Sequence, residues 1–241
     1  MRLTFFGQSA WGLEAAGARV LIDPYPISDR ARELLEDYAG PALTDVLVTH
    51  AGFDHLGIAF ELLERVPSAR LVADIAVARQ ASRVAGIADE RIVITGWNLE
   101  SVLSGWHIRA LEAKHASVLE GDDGYVTGMP LGFLAWHESE PELRVYHLGD
   151  TSIFADLALF GQLYRPTVAI VNVCGAMTAR EAAQAVQWLG VDVALPVHFT
   201  RDPGAAEDFC TAVSYLPRPV EAWVPEVGAT YTVERTLTIA R

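Results

Sequence analysis

The sequence predicts an α/β fold in which two β-rich layers are covered by helices on both outer faces, and three observations predict it. Short β-branched runs alternate with longer helical patterns from end to end. The first half is rich in strands before its helices enter, and the second half repeats that rhythm. Hydrophobic residues make up 51% against 20% charged, enough apolar surface for a large core and too much for a disordered chain. The same alternation also fits an ordinary doubly wound sheet. With no internal repeat, low-complexity tract or Pro/Gly/Ser linker, residues 1–241 read as a single domain.

Taken in order, Arg2–Phe6 and Arg19–Ile22 are strand-like, and Asp29–Tyr38 is the first helical pattern. Val46–Thr49 reads as a strand, Ile58–Arg65 as a helix, Leu71–Ala73 as a strand and Ile75–Ala85 as a helix. Ile92–Thr95 and His107–Glu112 follow as strands, and Gly121-Asp122-Asp123-Gly124 is loop-like. Pro130–Trp136, Arg144–Leu148 and Val168–Val171 are the next strands. The helix over Ala179–Leu189 is bounded at both ends, by a capping box of Thr178 with Glu181 and by Gly190 after the last turn. Val193–Val197, a helix over Ala205–Leu216 and a strand over Ala222–Val224 complete the pattern.

Lys+Arg 18 against Asp+Glu 31 leaves a net charge of −13. A chain this acidic repels phosphate backbones and anionic membrane surfaces, so a small-molecule substrate is expected, with no nucleic acid and no membrane. No apolar run approaches the roughly 20 residues a bilayer requires, and Met1–Gln8 lacks a secretory h-region, so the expected location is cytoplasmic. Two cysteines, Cys174 and Cys210, support neither a disulfide framework nor a thiolate zinc site.

The chemistry concentrates in histidines and aspartates at strand ends. In Val46-Leu47-Val48-Thr49-His50-Ala51-Gly52-Phe53-Asp54-His55-Leu56-Gly57, an apolar strand runs into His50, then Asp54 and His55, then a helix. Imidazole and carboxylate at such a turn can approach one divalent cation. Three further strand-like runs end similarly, in His115, in Gly149-Asp150-Thr151 and in Pro196-Val197-His198. Carboxyl ends of strands are where α/β proteins bind ligands.

The order T-H-x-x-x-D-H-L-G, a lone His, H-x-G-D-T and P-x-H resembles the metallo-β-lactamase superfamily, in the branch of ascorbate-6-phosphate lactonase-like hydrolases. The resemblance runs from Phe6-Gly7-Gln8-Ser9-Ala10 and Leu21-Ile22-Asp23-Pro24 to Pro196-Val197-His198. It implies an αββα sandwich with a metal centre at one edge of the two sheets. It further implies one or two divalent ions, zinc, manganese or iron, and assembly into homo-oligomers. His50 and His115 match ligands of a first metal position, Asp54, His55 and His198 ligands of a second, and Asp150 the carboxylate between them. Asp23 matches an aspartate that orients a ligating imidazole from behind. The implied activity is hydrolysis of a small ester, lactone, amide or phosphodiester by metal-activated water, with Asp54, Asp150 and His198 as catalytic residues.

Two departures bear on that reading. The family pattern H-x-H-x-D-H has Gly52 in place of its middle histidine, and Gln8 stands where the branch has histidine in G-H-S-A. Three donors, His50, His115 and Asp150, then remain at the first position, an arrangement that also suits a mononuclear iron oxygenase. A non-catalytic binding protein on the same fold is the remaining alternative. Trp11, Phe53, Tyr25 and Phe199 flank the site segments as candidate pocket walls, Cys174 lies at a nearby strand end, and Arg201 is the candidate anchor for an anionic group. His107, His137 and His147 read as structural.

Overall fold

The computed structural model describes residues 1–121 and 124–234; Asp122 and Asp123 of the expected loop lie outside the described residues. In chain order the first half contains β1 (Arg2–Gly7), β2 (Ala10–Ala15), β3 (Ala18–Ile22), α1 (Asp29–Tyr38), β4 (Leu43–Leu47), α2 (Phe53–Leu56), α3 (Ala59–Arg65), β5 (Arg70–Ala73), α4 (Ile75–Arg83) and β6 (Ile92–Ile94). The second half contains β7 (Glu100–Leu103), β8 (Trp106–Glu112), β9 (Val118–Gly121), β10 (Gly124–Thr127), β11 (Leu131–His137), β12 (Val145–His147), α5 (Asp156–Tyr164), β13 (Val168–Asn172), α6 (Ala179–Leu189), β14 (Val193–Val197), α7 (Pro203–Ser214), β15 (Glu221–Ala222) and β16 (Thr230–Thr232).

These strands form two separate seven-stranded sheets, ordered β16-β1-β2-β3-β4-β5-β6 and β15-β14-β13-β12-β11-β8-β7, beside a small β9–β10 ribbon. The single doubly wound sheet is therefore excluded. Residue alternation along each strand divides the apolar side chains among three cores. Phe5, Trp11, Ile22, Leu47 and Val72 of the first sheet meet Ile108, Phe133, Ile170 and Leu195 of the second between the sheets. Leu21, Val46 and Leu71 face the opposite way, onto α1, α3 and α4. Ala169, Val171 and Ala194 pack under α5, α6 and α7. The result is the αββα sandwich.

The helix ends follow the expected chemistry. The Thr178 hydroxyl accepts from the Glu181 amide while the Glu181 carboxylate accepts from the Thr178 amide, and Gly190 closes α6 in the left-handed conformation. β2 was not expected, and it corrects the place of Trp11. In the β1–β2 hairpin Trp11 pairs with Phe5, its ring centroid 5.0 Å away, and it is fully buried between the sheets instead of walling a pocket. β4 ends at Leu47, two residues before the expected Thr49, which frees Thr49–Gly52 to form the turn into α2. That turn is clamped where Gly57 closes α2. Its φ is +48°, and a Cβ there would stand 2.2 Å from the Pro24 carbonyl oxygen, which accepts from the Ile58 amide.

Candidate metal centre

All the strands that deliver the candidate ligands end on one edge of the sandwich. β3, β4 and β5 are parallel in the first sheet, as are β12, β13 and β14 in the second. β8 runs antiparallel to β11, and β11 antiparallel to β12, so β8 shares the direction of β12. Asp23 follows β3, His50 follows β4, His115 follows β8, Asp150 follows β12 and His198 follows β14, while Asp54 and His55 stand on α2.

Six side chains converge there in two groups, His50 with His115 and Asp150, and Asp54 with His55 and His198. His198 Nε2 lies 3.1 Å from Asp54 Oδ2 and 3.3 Å from Asp150 Oδ2, and His55 Nε2 lies 3.4 Å from Asp150 Oδ2. His115 Nε2 is 3.8 Å from the same Asp150 oxygen. The His50 and His55 rings sit 4.1 Å apart, and those of His50 and His115 5.1 Å apart.

The imidazoles are set from behind. Asp23, wholly buried, accepts from the Thr49 amide (2.8 Å) and the Thr49 hydroxyl (2.7 Å), and its Oδ2 lies 2.7 Å from His55 Nδ1. With the proton on Nδ1, His55 turns the lone pair of Nε2 toward the centre. Because the Thr49 hydroxyl gives its hydrogen to Asp23, its oxygen accepts from His50 Nδ1 at 3.2 Å, which leaves His50 Nε2 free as well. Gln8 donates to Asp54 Oδ2 at 2.8 Å, and its carbonyl accepts from the His198 amide. The Lys114 amide donates to the Thr151 hydroxyl, and the Ala51 amide to the Ser117 hydroxyl, joining the loops that carry His50, His115 and Asp150. Gln8, Asp23 and His198 all adopt positive φ, a conformation that costs about 1–3 kcal/mol each and that tight tertiary contacts impose at sites.

These residues fit a divalent ion. His55 Nε2 and Asp150 Oδ1 are buried without a hydrogen-bond partner, an unfavourable arrangement that a cation relieves. Donors about 2.0–2.1 Å from a tetrahedral zinc stand about 3.3 Å from one another, and the Asp54–His198, His198–Asp150 and His55–Asp150 separations are 3.1, 3.3 and 3.4 Å.

The charges agree. Burial opposes a charge on His55, yet Asp23 and Asp150 flank it and push its pKa up to about 10. Burial, with His55 beside it, lowers His50 to about 4. Burial works against ionised Asp54 and Asp150, but the neighbouring histidines hold both below the usual carboxylate range. Metal uptake therefore displaces a proton from His55. Lower pH keeps that proton in place, so apparent zinc affinity is expected to rise with pH between about 6 and 9, by up to about tenfold per unit. Competition against a chromophoric chelator reads this directly; an affinity flat across that range excludes a charged His55.

A cleft of about 110 Å³ opens beside Asp54, lined by Gln8, Tyr25, Ile27, Phe53, Thr200 and Arg201. Tyr25 and Phe53 meet edge to face at 5.9 Å, and Phe53 is largely exposed. Ile27 and Thr200 had no motif to mark them. Two candidates for the pocket lie elsewhere. Phe199 packs onto the cores on both sides of the second sheet, 6.1 Å from Phe5. Cys174 is half-buried after β13, and it is the neighbouring Gly175 whose side chain would stand 3.7 Å from the His198 ring. His147, inside β12, donates from Nε2 to the Ser9 carbonyl and accepts from the Gly149 amide at Nδ1, tying the Gln8 turn to the Asp150 turn. His107 stacks on Trp136 and pairs with Glu100, and His137 bonds to Ser139.

Residues 2–198 match the β-lactamase superfamily domain. The chain belongs to that superfamily. Within it, the chain is 34% identical over 238 residues to a UPF0173 metal-dependent hydrolase of Methanopyrus kandleri, covering 96% of this chain and 99% of the relative. It is 30% identical over 248 residues to a UPF0173 metal-dependent hydrolase of Aeropyrum pernix, covering 95% and 96%. The solved structure of Igni18, a metallo hydrolase from the archaeon Ignicoccus hospitalis, superposes with a TM-score of 0.79 at 28% identity, covering 95% of this chain and 96% of that one. This member of the superfamily is a metal-dependent hydrolase, and its His and Asp groups are candidate ligands for the divalent metal the family implies. Among the described residues, no helix is long and apolar enough to cross a membrane.

Proposed function

We propose that the chain hydrolyses a small ester, lactone, amide or phosphodiester at the Asp54–His55–His198–Asp150 end of the centre. The observation that carries this reading is the convergence of those four side chains, with His55 Nε2 and Asp150 Oδ1 buried and unpartnered between them. A divalent ion bound there supplies a water of lowered pKa and a Lewis acid for the bond to be cleaved. Asp23 and Thr49 fix the orientation of both rings, so His50 presents a free Nε2 and His55 presents its own once the proton there has left. Gln8 and His198 hold Asp54 through its Oδ2. Asp54 and Asp150 stay ionised at neutral pH, as carboxylates that hold a divalent ion must be.

The cleft suggests the shape of the substrate. Tyr25, Ile27 and Phe53 offer an apolar wall for a small acyl or aryl group. Arg201 lines the same cleft and makes no hydrogen bond or ion pair among the described residues, which leaves its guanidinium available to a carboxylate or phosphate. A panel of nitrophenyl esters, lactones, anilides and a phosphodiester, each with neutral and anionic members, tests the reading. At least one class is expected to be hydrolysed, with turnover lost to a chelator and restored by zinc or manganese. Arg201→Ala is expected to raise KM for the anionic members about 10-fold, the worth of one charge-assisted hydrogen bond, with kcat unchanged. Hydrolysis of no class by the metal-loaded protein rejects the proposal.

A further inference from the structure

We propose that the two metal positions are unequal by construction: Asp54, His55, His198 and Asp150 retain one divalent ion, and His50, His115 and Asp150 take a second only as an exchangeable one. The proposal rests on the hydrolase reading above and concerns how many ions the resting protein keeps. Two independent observations carry it.

The first is steric. Gly52 stands before α2 with φ −56° and ψ 135°, a conformation open to other residues, so its backbone does not require glycine. What crowds the position is the end of one side chain: a Cβ on Gly52 would stand 2.6 Å from His50 Nε2, so the imidazole would have to shift, and 3.4 Å from Asp54 Oδ1. The His50 ring, with the nitrogen that faces the centre, fills the room a side chain at this position would need. With glycine at 52 the middle donor of H-x-H-x-D-H is absent, and the His50 ring lies where a side chain there would begin. His50, His115 and Asp150 are three donors in all, and Asp150 is shared with the other group.

The second is support. On the retained side, Gln8 holds Asp54, Asp23 holds His55, and the His198 backbone is tied to the Gln8 carbonyl. On the other side, the His115 side chain is 34% exposed, and its ring makes no hydrogen bond among the described residues. Its nearest approach to Asp150, 3.8 Å, is wider than the 3.1–3.4 Å separations opposite. Loss of such outer partners lowers metal affinity about 10–100-fold, and a missing donor lowers it further.

The test counts ions as well as turnover. Protein as purified, passed through gel filtration in metal-free buffer, is expected to retain about one transition-metal ion per chain by plasma mass spectrometry, and added zinc to bind a second time at least about 100-fold more weakly. His115→Ala is expected to keep the retained ion, and His198→Ala to lose it. Gly52→Ala adds no donor but presses a methyl group against His50, so it is expected to weaken only the second uptake. Cobalt(II) titration of the unmodified, metal-depleted protein gives a readout that does not depend on any variant folding: the visible absorption of the bound ion is expected to saturate at the first equivalent. Two ions retained with equal affinity, absorption rising evenly through two equivalents, or retention lost in His115→Ala and kept in His198→Ala each overturn the inequality while leaving the hydrolase reading intact. Failure of the folded wild-type protein to bind any ion overturns both.

Discussion

Asp23→Ala is expected to destabilise the protein by about 3–5 kcal/mol, because it leaves a buried charged partner and two further donors unsatisfied at once. The carboxylate is wholly buried and lies beside the Thr49 amide, the Thr49 hydroxyl and His55 Nδ1. Burial alone would raise its pKa, yet the neighbouring His55 holds it below the ordinary value. In a chain of this size the loss corresponds to a melting temperature lower by about 10 °C. Zinc affinity is expected to fall by about 10–100-fold as well, since His55 loses the bond that fixes its tautomer. Asp23→Asn retains the shape while placing an amide N–H toward one of the donors, so it should recover part of the stability and little of the affinity. Calorimetry and chelator competition read the two effects separately. A melting temperature within about 2 °C of the parent would show that the buried network contributes almost nothing.

His198→Ala is the second large effect, and it is expected in function more than in folding. The ring is only half-buried, and it closes the gap between Asp54 and Asp150, 3.1 Å from one and 3.3 Å from the other. Without it, turnover is expected to fall by more than about 100-fold, beyond the range that loss of an outer partner produces. Asp54→Ala should behave alike. His147→Ala supplies the contrast. That ring is fully buried and, among the described residues, bonds to the Ser9 carbonyl and the Gly149 amide alone, so its loss should lower the melting temperature while metal remains bound. Measured kcat/KM beside metal content for the three variants separates the two kinds of histidine. Full turnover in His198→Ala would remove the Asp54–His55–His198 group from the chemistry.

Much of the frame is legible in the sequence because local signals and tertiary packing agree there. Asp29–Tyr38, Ala179–Leu189 and Val193–Val197 have the bounds the residues suggest, since capping and β-branched burial point the same way. β2 is not legible: Ala10-Trp11-Gly12-Leu13-Glu14-Ala15 has low strand propensity, and its pairing with β1 and β3 sets the conformation. α5 has Ala155 as its N-cap, which offers no capping side chain, and contains Gly161. At the site, the side chains that meet stand in short runs of recognisable spacing. The cleft does not: only two residues lie between Gln8, which reaches Asp54 from the β1–β2 turn, and Trp11, which β2 seals between the sheets. Ile27 and Thr200 reach the cleft from loops with no pattern of their own.

The two sheets contribute equally to the centre. His50, Asp54 and His55 come from the first, and His115, Asp150 and His198 from the second. Neither layer alone contains a complete set for either position, so an ion bound in either place rivets one sheet to the other. The hydrolytic centre is thus a property of the seam, and a fragment that kept the strands of only one sheet would inherit three donors and no partners for them to meet.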